Sequence, residues 1–332
     1  MNTFFKIILC IFIPFCCSCG QKSAKGNDAQ SVSVVITNTV KSPVFDADSA
    51  YSYIERQVAF GPRVPNSQAH TSCADYLAKE LERHGAKLYI QNATVTAYNG
   101  DRLNACNIIG SYNPDNKRRI LLFAHWDSRP YADHDADDSN HKKPIDGADD
   151  GGSGVGVLLE IARQLGKKLP DAGIDIIFFD AEDYGTPEFV KDYKPDTWCL
   201  GSQFWAKNPH IAGYKAEFGI LLDMVGAHGA TFYKEYTSVR YASRYVEMVW
   251  SAARNLGYGK YFINAKGGGV TDDHVYVIND QHIPCLDIIN YDPNSDSGFG
   301  AYWHTINDNM KNISKETLRA VGQTLLEVIY NN

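Results

Sequence analysis

Three stretches of the chain are apolar almost without interruption. They are residues 119–126 (RILLFAHW), 173–179 (GIDIIFF) and 218–222 (FGILL). A strand with one wet face alternates, whereas a parallel strand covered on both faces reads as a continuous run. A shorter run at 284–289 completes the set of expected core strands. Between these runs the apolar period lengthens to that of a helix. After the turn GADDGGSG (147–154), Val155, Leu158, Leu159, Ala162 and Leu165 share one helical face up to Gly166.

The flanking chain follows the same alternation. Residues 46–60 are helical in pattern and stop at Gly61-Pro62. Asn66 or Ser67 caps a helix through His84, with Cys73, Leu77 and Leu81 on one face and Gly85 as its stop. Residues 87–96 and 103–112 read as strands either side of an Asn99-Gly100 turn. A further helix is expected at 237–256, and Ser314 caps a final one with Leu318, Val321, Leu325 and Val328 facing the core. Strands that alternate with helices predict an α/β fold: a doubly wound, mostly parallel central sheet with helices on both faces.

In such a sheet ligands bind beyond the carboxyl ends of the strands. Polar residues gather at those ends. The strand at 119–126 leads to His125 and Asp127, that at 173–179 to Glu182 and Asp183, and that at 218–222 to Asp223. Asp150 lies in the glycine-rich turn and His304 in the loop after the last strand. Singly, each has an ordinary use as a cap or a loop hydrogen-bonder. Asp149 is expected to cap the helix that follows it. Together these groups are of the types that ligate metals or move protons. Two carboxylates and one imidazole with an open fourth position form a catalytic zinc arrangement, and a carboxylate beside it can act as base and acid.

The first nineteen residues change the picture of where this chemistry operates. MNTFFKIILCIFIPFCCSC carries one charge, Lys6, before an apolar run that ends in small residues. That is the form of an export signal. Ser18-Cys19-Gly20 resembles a bacterial lipoprotein processing site, with Cys19 as the acylated residue. Residues 20–45 lack periodicity and read as a tether, leaving 46–332 as a single catalytic domain. An exported protein of the bacterial cell envelope is expected, periplasmic and touching the membrane only through Cys19.

The net charge is −7, from 32 Lys and Arg against 39 Asp and Glu, and no basic stripe appears. Nucleic acid is therefore not an expected partner. Cys73, Cys106, Cys199 and Cys285 lie in the body of the chain without a Cys-x-x-Cys spacing, so they predict no thiolate metal site. Disulfides and buried thiols both remain open for them.

Six motifs in order carry a resemblance: HWDSR (125–129), GADDGGSG (147–154), FFDAED (178–183), LLDMVGA (221–227), TDDH (271–274) and YWHTINDN (302–309). From about Asp46 onward the chain resembles the zinc aminopeptidase-like α/β proteins of the M28 type. Within them it resembles the glutaminyl cyclases of animal and Bacteroidetes type. The resemblance implies zinc ligands Asp150, Asp183 and His304, with one Zn2+ per chain. It implies that Glu182 transfers the proton and that Asp272 binds the substrate amine, with Asp223 in the same network. Trp303 would wall the substrate side chain. The animal enzymes carry Glu-Glu where Glu182-Asp183 stands here, so the shorter Asp183 must bring its backbone nearer the ion. The implied substrates are peptides or proteins with N-terminal Gln, cyclised to pyroglutamate with loss of ammonia.

Two rivals follow from the same residues. His125 and Asp223 match the second-metal ligands of two-zinc aminopeptidases, with Asp150 as the bridge. Two ions and N-terminal residue removal are thus the alternative chemistry. A surface lipoprotein that keeps a retired peptidase fold for binding is the other.

Overall fold

A computed structural model describes residues 41–332; the expected export signal, Cys19 and most of the expected tether fall in residues 1–40, outside the described part. In chain order the helices are α1 (Ala47–Val58), α2 (Gln68–Arg83), α3 (Gly152–Leu165), α4 (Leu200–Lys207), α5 (Tyr236–Asn255), α6 (Asp273–Gln281) and α7 (Lys315–Asn331). The strands are β1 (Lys87–Thr96), β2 (Arg102–Tyr112), β3 (Arg119–His125), β4 (Gly173–Phe179), β5 (Phe218–Asp223), β6 (Phe232–Lys234), β7 (Phe262–Lys266) and β8 (Cys285–Ile289).

Six strands form the central sheet in the order β1-β2-β4-β3-β5-β8, and β6 and β7 pair separately. β4, β3, β5 and β8 run parallel. β1 and β2 form an antiparallel hairpin that also meets β4 antiparallel. The fold class is the expected α/β, with the parallel part confined to the four strands that carry the site. Every residue of β3, β4 and β5 is buried, which is why their sequences lack alternation. At the sheet's edge β1 is half-buried and alternates.

The two faces of one strand feed two cores. Ile120, Leu122, Ile174, Ile176, Ile220 and Leu222 pack toward α1, α2, α3, α5 and α7. Leu121, Phe123, Ile177, Phe179 and Leu221 pack toward α4 and α6 through Trp205, Val277 and Ile278. α3 lies so close to the sheet that a Cβ at Gly154 would stand 2.3 Å from the Leu222 carbonyl. Glycine there sets how near the Asp150 turn sits to β5.

The helix caps follow the sequence at both ends of the chain. Ser67, not Asn66, caps α2 through the His70 amide. Asn66 sits at φ 73° and ties to β2 instead, through the Arg102 carbonyl and the Asn104 amide. Ser314 caps α7. Residues 41–45, assigned above to the tether, lie against α7: Phe45 is buried and its amide donates to Gln323 Oε1 at 2.9 Å. α4, α6 and the β6–β7 pair carry no clear periodic signal and were not expected. Among the described residues no helix is long and apolar enough to cross a membrane.

Candidate active site

β3 lies between β4 and β5 and runs parallel to both, so the polar ends of the three strands meet at one edge of the sheet. Ala181 and His304 both adopt left-handed backbone, each at φ 53°. Such a conformation is unfavourable for a residue with a side chain and recurs where function constrains the chain. Here it turns Glu182 and Asp183 inward after β4.

Asp150, Asp183 and His304 meet. His304 Nε2 lies 3.3 Å from Asp183 Oδ1 and 3.6 Å from Asp150 Oδ2. Edges of about 3.3 Å are those of a tetrahedron with arms of about 2.0 Å, the span of a zinc site. Asp183 Oδ2 is buried with no hydrogen-bond partner. Burial, with Arg129, His134 and His125 adding, holds the His304 imidazole well below its usual pKa. A neutral imidazole is the ligating form. The residues present therefore fit a divalent ion of the zinc class.

A second group shares Asp150. His125 Nε2 lies 3.0 Å from Asp150 Oδ1 and 3.2 Å from Asp223 Oδ1, the latter an aligned hydrogen bond. Burial lowers the His125 pKa, but Asp127, Asp150 and Asp223 outweigh it and raise it well above the ordinary value. With edges of 3.0 and 3.2 Å, His125, Asp150 and Asp223 also have the spacing of a ligand set.

Glu182 stands beside both groups, its Oε2 4.0 Å from His125 Nδ1 and its Oε1 3.1 Å from Cys199 Sγ. Burial pushes its carboxyl well up, His125 opposing and Asp183 and Asp272 adding. Asp272 caps α6 through the Asp273 amide, which occupies Oδ1 at 2.6 Å. Its Oδ2 is buried and without a partner. Asp150, Glu182, Asp183, Asp223, Asp272, Trp303 and His304 all line a single cavity of about 570 Å³. Trp303 stacks on His304 with ring centroids 3.7 Å apart and meets Phe299 at 4.7 Å. The loops 131–146 and 291–302 contribute to the lining, through Asp133, His134, Ser297 and Phe299.

Several residues support these groups, and of their carboxylates only Asp127 stood out in the sequence, as a strand-end group. Asp308 accepts the amides of Asp149 and Asp150 at 2.9 and 3.1 Å. Asp127 does the same for Glu182 and Asp183 at 3.1 and 3.2 Å. Thus a carboxylate grips the backbone under each pair. Arg129 is fully buried, forks onto Asp133 at 2.7 and 2.6 Å and reaches Asp183 Oδ1 at 3.4 Å. Asp133 in turn lies 3.6 Å from His304 Nδ1, beyond hydrogen-bond distance, and that nitrogen is buried without a partner. Trp198 lies parallel to His304 at 5.9 Å and beneath the Arg129 guanidinium at 4.5 Å. Only glycine at 185 admits it, since a Cβ there would fall 2.0 Å from the indole.

Asp149 does not cap α3, whose N-cap is Gly151 without a side-chain bond. Its carboxylate accepts from the Gly226 amide at 2.7 Å and the Tyr302 hydroxyl at 2.5 Å. It ties the turn to the chain after β5 and to the loop that presents Trp303. Cys73, Cys106, Cys199 and Cys285 are all free thiols, and all but Cys106 are buried.

Comparison with known proteins agrees with this architecture. Residues 107–329 match the model of peptidase family M28. A glutaminyl cyclase of Tannerella forsythia is 74% identical, with TM-score 0.86 over 87% of this chain and 100% of that one. A Zn-dependent exopeptidase of Parabacteroides distasonis is 69% identical, with TM-score 0.88 over 88% and 100% of the two chains. The glutaminyl-peptide cyclotransferase of Bos taurus is 28% identical over 296 residues, 79% of this chain and 76% of that protein. The chain belongs to peptidase family M28 and, within that family, to the glutaminyl cyclases.

Proposed function

We propose that the chain is a glutaminyl-peptide cyclotransferase that converts N-terminal Gln of peptides and proteins to pyroglutamate and releases ammonia. The observation that carries this reading is that Glu182 and the Asp150–Asp183–His304 group face one aromatic-walled cavity. Asp150, Asp183 and His304 would hold one zinc ion per chain. When bound, the ion supplies Lewis acidity toward the γ-amide carbonyl of the substrate.

The chain's own residues do the rest. The free oxygen of Asp272 receives the α-amine of the substrate. Trp303 packs against the glutamine side chain and keeps it folded back on that amine. Nucleophile and electrophile belong to one residue, so holding them in contact supplies much of the acceleration. The amine nitrogen forms a bond to the γ-carbonyl carbon as Glu182 takes the amine proton. Glu182 returns that proton to the amide nitrogen, the carbon–nitrogen bond breaks and ammonia leaves. A raised carboxyl pKa suits a group that must both accept and give a proton near neutrality. Asp223 acts through His125, whose ring it engages. The walls formed by Trp198, Phe299 and Trp303 keep water from competing with the amine.

Two-zinc peptidase chemistry has one observation in its favour, the His125–Asp150–Asp223 group. One ion per chain is the reading taken here, and the metal content of the protein decides between one and two. Export through residues 1–19 and anchoring through Cys19 belong to the same proposal, and peptides of the cell envelope are the accessible substrates. The test is incubation with a Gln-initiated peptide. Ammonia release with every peptide bond intact is expected; release of free Gln would overturn the reading.

A further inference from the structure

Nothing in the reaction just described uses Cys199, yet its thiol touches the residue assigned to proton transfer. Its Sγ lies 3.1 Å from Glu182 Oε1. Contacts of sulfur donors are usually longer than those of oxygen or nitrogen, so this one is close. Cys199, Glu182 and Asp272 form one buried cluster with their polar atoms within 4.8 Å of each other.

The backbone is built to hold that contact. The Cys199 amide donates to the Glu182 carbonyl at 2.9 Å, and the Leu200 amide donates to the Ala181 carbonyl at 3.0 Å. These two bonds set residues 199–200 in register against 181–182. The Cys199 carbonyl accepts from the Ser202 hydroxyl at 3.0 Å and the Gln203 amide at 2.9 Å. Cys199 itself sits in left-handed backbone at φ 57°, ψ 34°, a conformation unfavourable for any residue with a Cβ. It directs the side chain at the carboxylate while Trp198 covers His304. Just beyond, a Cβ at Gly201 would lie 2.2 Å from the Asp180 carbonyl, so the segment is pressed against the end of β4. Burial keeps the thiol protonated, and beside a carboxylate a thiol can only donate.

We infer that Cys199 is a positioning residue for Glu182: its S–H bond occupies Oε1 and fixes the rotamer that presents Oε2 to the substrate proton. A freed carboxylate would still bind protons but would spend less time aimed at the reacting nitrogen. The consequence is a lower kcat with an unchanged KM, because Cys199 touches no part of the substrate. This inference rests on Glu182 as the proton-transferring group.

The experiment measures kcat and KM for a Gln-initiated peptide, with zinc content and Tm, on Cys199→Ala, Cys199→Ser, Cys73→Ala and Glu182→Gln. Cys199→Ala should lower kcat about three- to tenfold, the worth of one ordinary hydrogen bond from a weak donor, with KM within about twofold of wild type. Cys199→Ser restores a donor at the same place and should recover kcat to within about twofold. Cys73→Ala removes an equally buried thiol that makes no contact with Glu182 and should lower Tm without lowering kcat. The inference is overturned if Cys199→Ala keeps the wild-type kcat, or if the Ser and Ala variants are equally impaired. Should Cys199→Ala fail to fold, Cys199→Ser decides: a kcat near wild type upholds the inference, and a loss as large as that expected for Ala overturns it. Glu182→Gln separates the two levels of the account, since an active Glu182→Gln protein overturns the proton-transfer role itself.

Discussion

Two histidine–carboxylate groups share Asp150 and differ in what their imidazoles can do. One Asp150 oxygen faces His304 and the other faces His125. Around His304 the second nitrogen looks toward Asp133, backed by Arg129, and burial holds the pKa of the ring well below its ordinary value. Around His125 three carboxylates converge and raise the pKa of the ring well above its ordinary value, with a hydrogen bond to Asp223. Residue types alone make the groups look equivalent, since both are buried sets of two carboxylates and a histidine. We propose that their surroundings divide them into a metal cradle and a proton-holding pair. Burial first, and then Arg129, lowers the His304 pKa, whereas at His125 the bonds to Asp127, Asp150 and Asp223 outweigh burial.

This contrast can be tested most forcefully at the proton-transferring residue and the cradle. Glu182→Gln should lower kcat about 10³-fold, within the range of general acid–base catalysis, while zinc stays bound. His304→Ala should lower activity by a similar factor of about 10³, the worth of Lewis-acid polarisation, but with zinc lost. Inductively coupled plasma measurement on both variants distinguishes the two causes. His125→Asn, on the other side of Asp150, should keep its zinc and lose about 10- to 100-fold, the usual cost of removing a group that orients a ligand. Loss of the metal in His125→Asn would erase the distinction. Trp303→Ala should have the smallest effect, about five- to tenfold in kcat/KM, as one aromatic contact wall is removed. Trp303→Tyr should retain more activity than Ala in the same assay.

The sequence made the ligand side of this contrast legible and hid its support. β3, β4 and β5 are buried on both faces, so they read as apolar runs whose polar ends stand out. Those ends are His125, Glu182, Asp183 and Asp223. Asp308, Asp127 and Asp133 work through partners remote in sequence: Asp308 meets the amides of Asp149 and Asp150 from 159 and 158 residues away. No local pattern records such a bond. Asp149 misled for the same reason, since its position suggests a cap while its carboxylate reaches Gly226 and Tyr302. α4 and α6 were obscured by length and composition: eight and nine residues, beginning where the chain still looks like loop. Asp272 was identified through a motif resemblance, and its place at the start of α6 explains why one oxygen is occupied and the other free.

The central claim is that Asp150, Asp183 and His304 hold the ion and that His125 and Asp223 hold none. A crystal of the zinc-loaded protein, measured on both sides of the zinc absorption edge, addresses it directly. One anomalous peak among Asp150, Asp183 and His304 is predicted. A second peak of comparable height between His125 and Asp223, or a single peak there instead, would contradict the account.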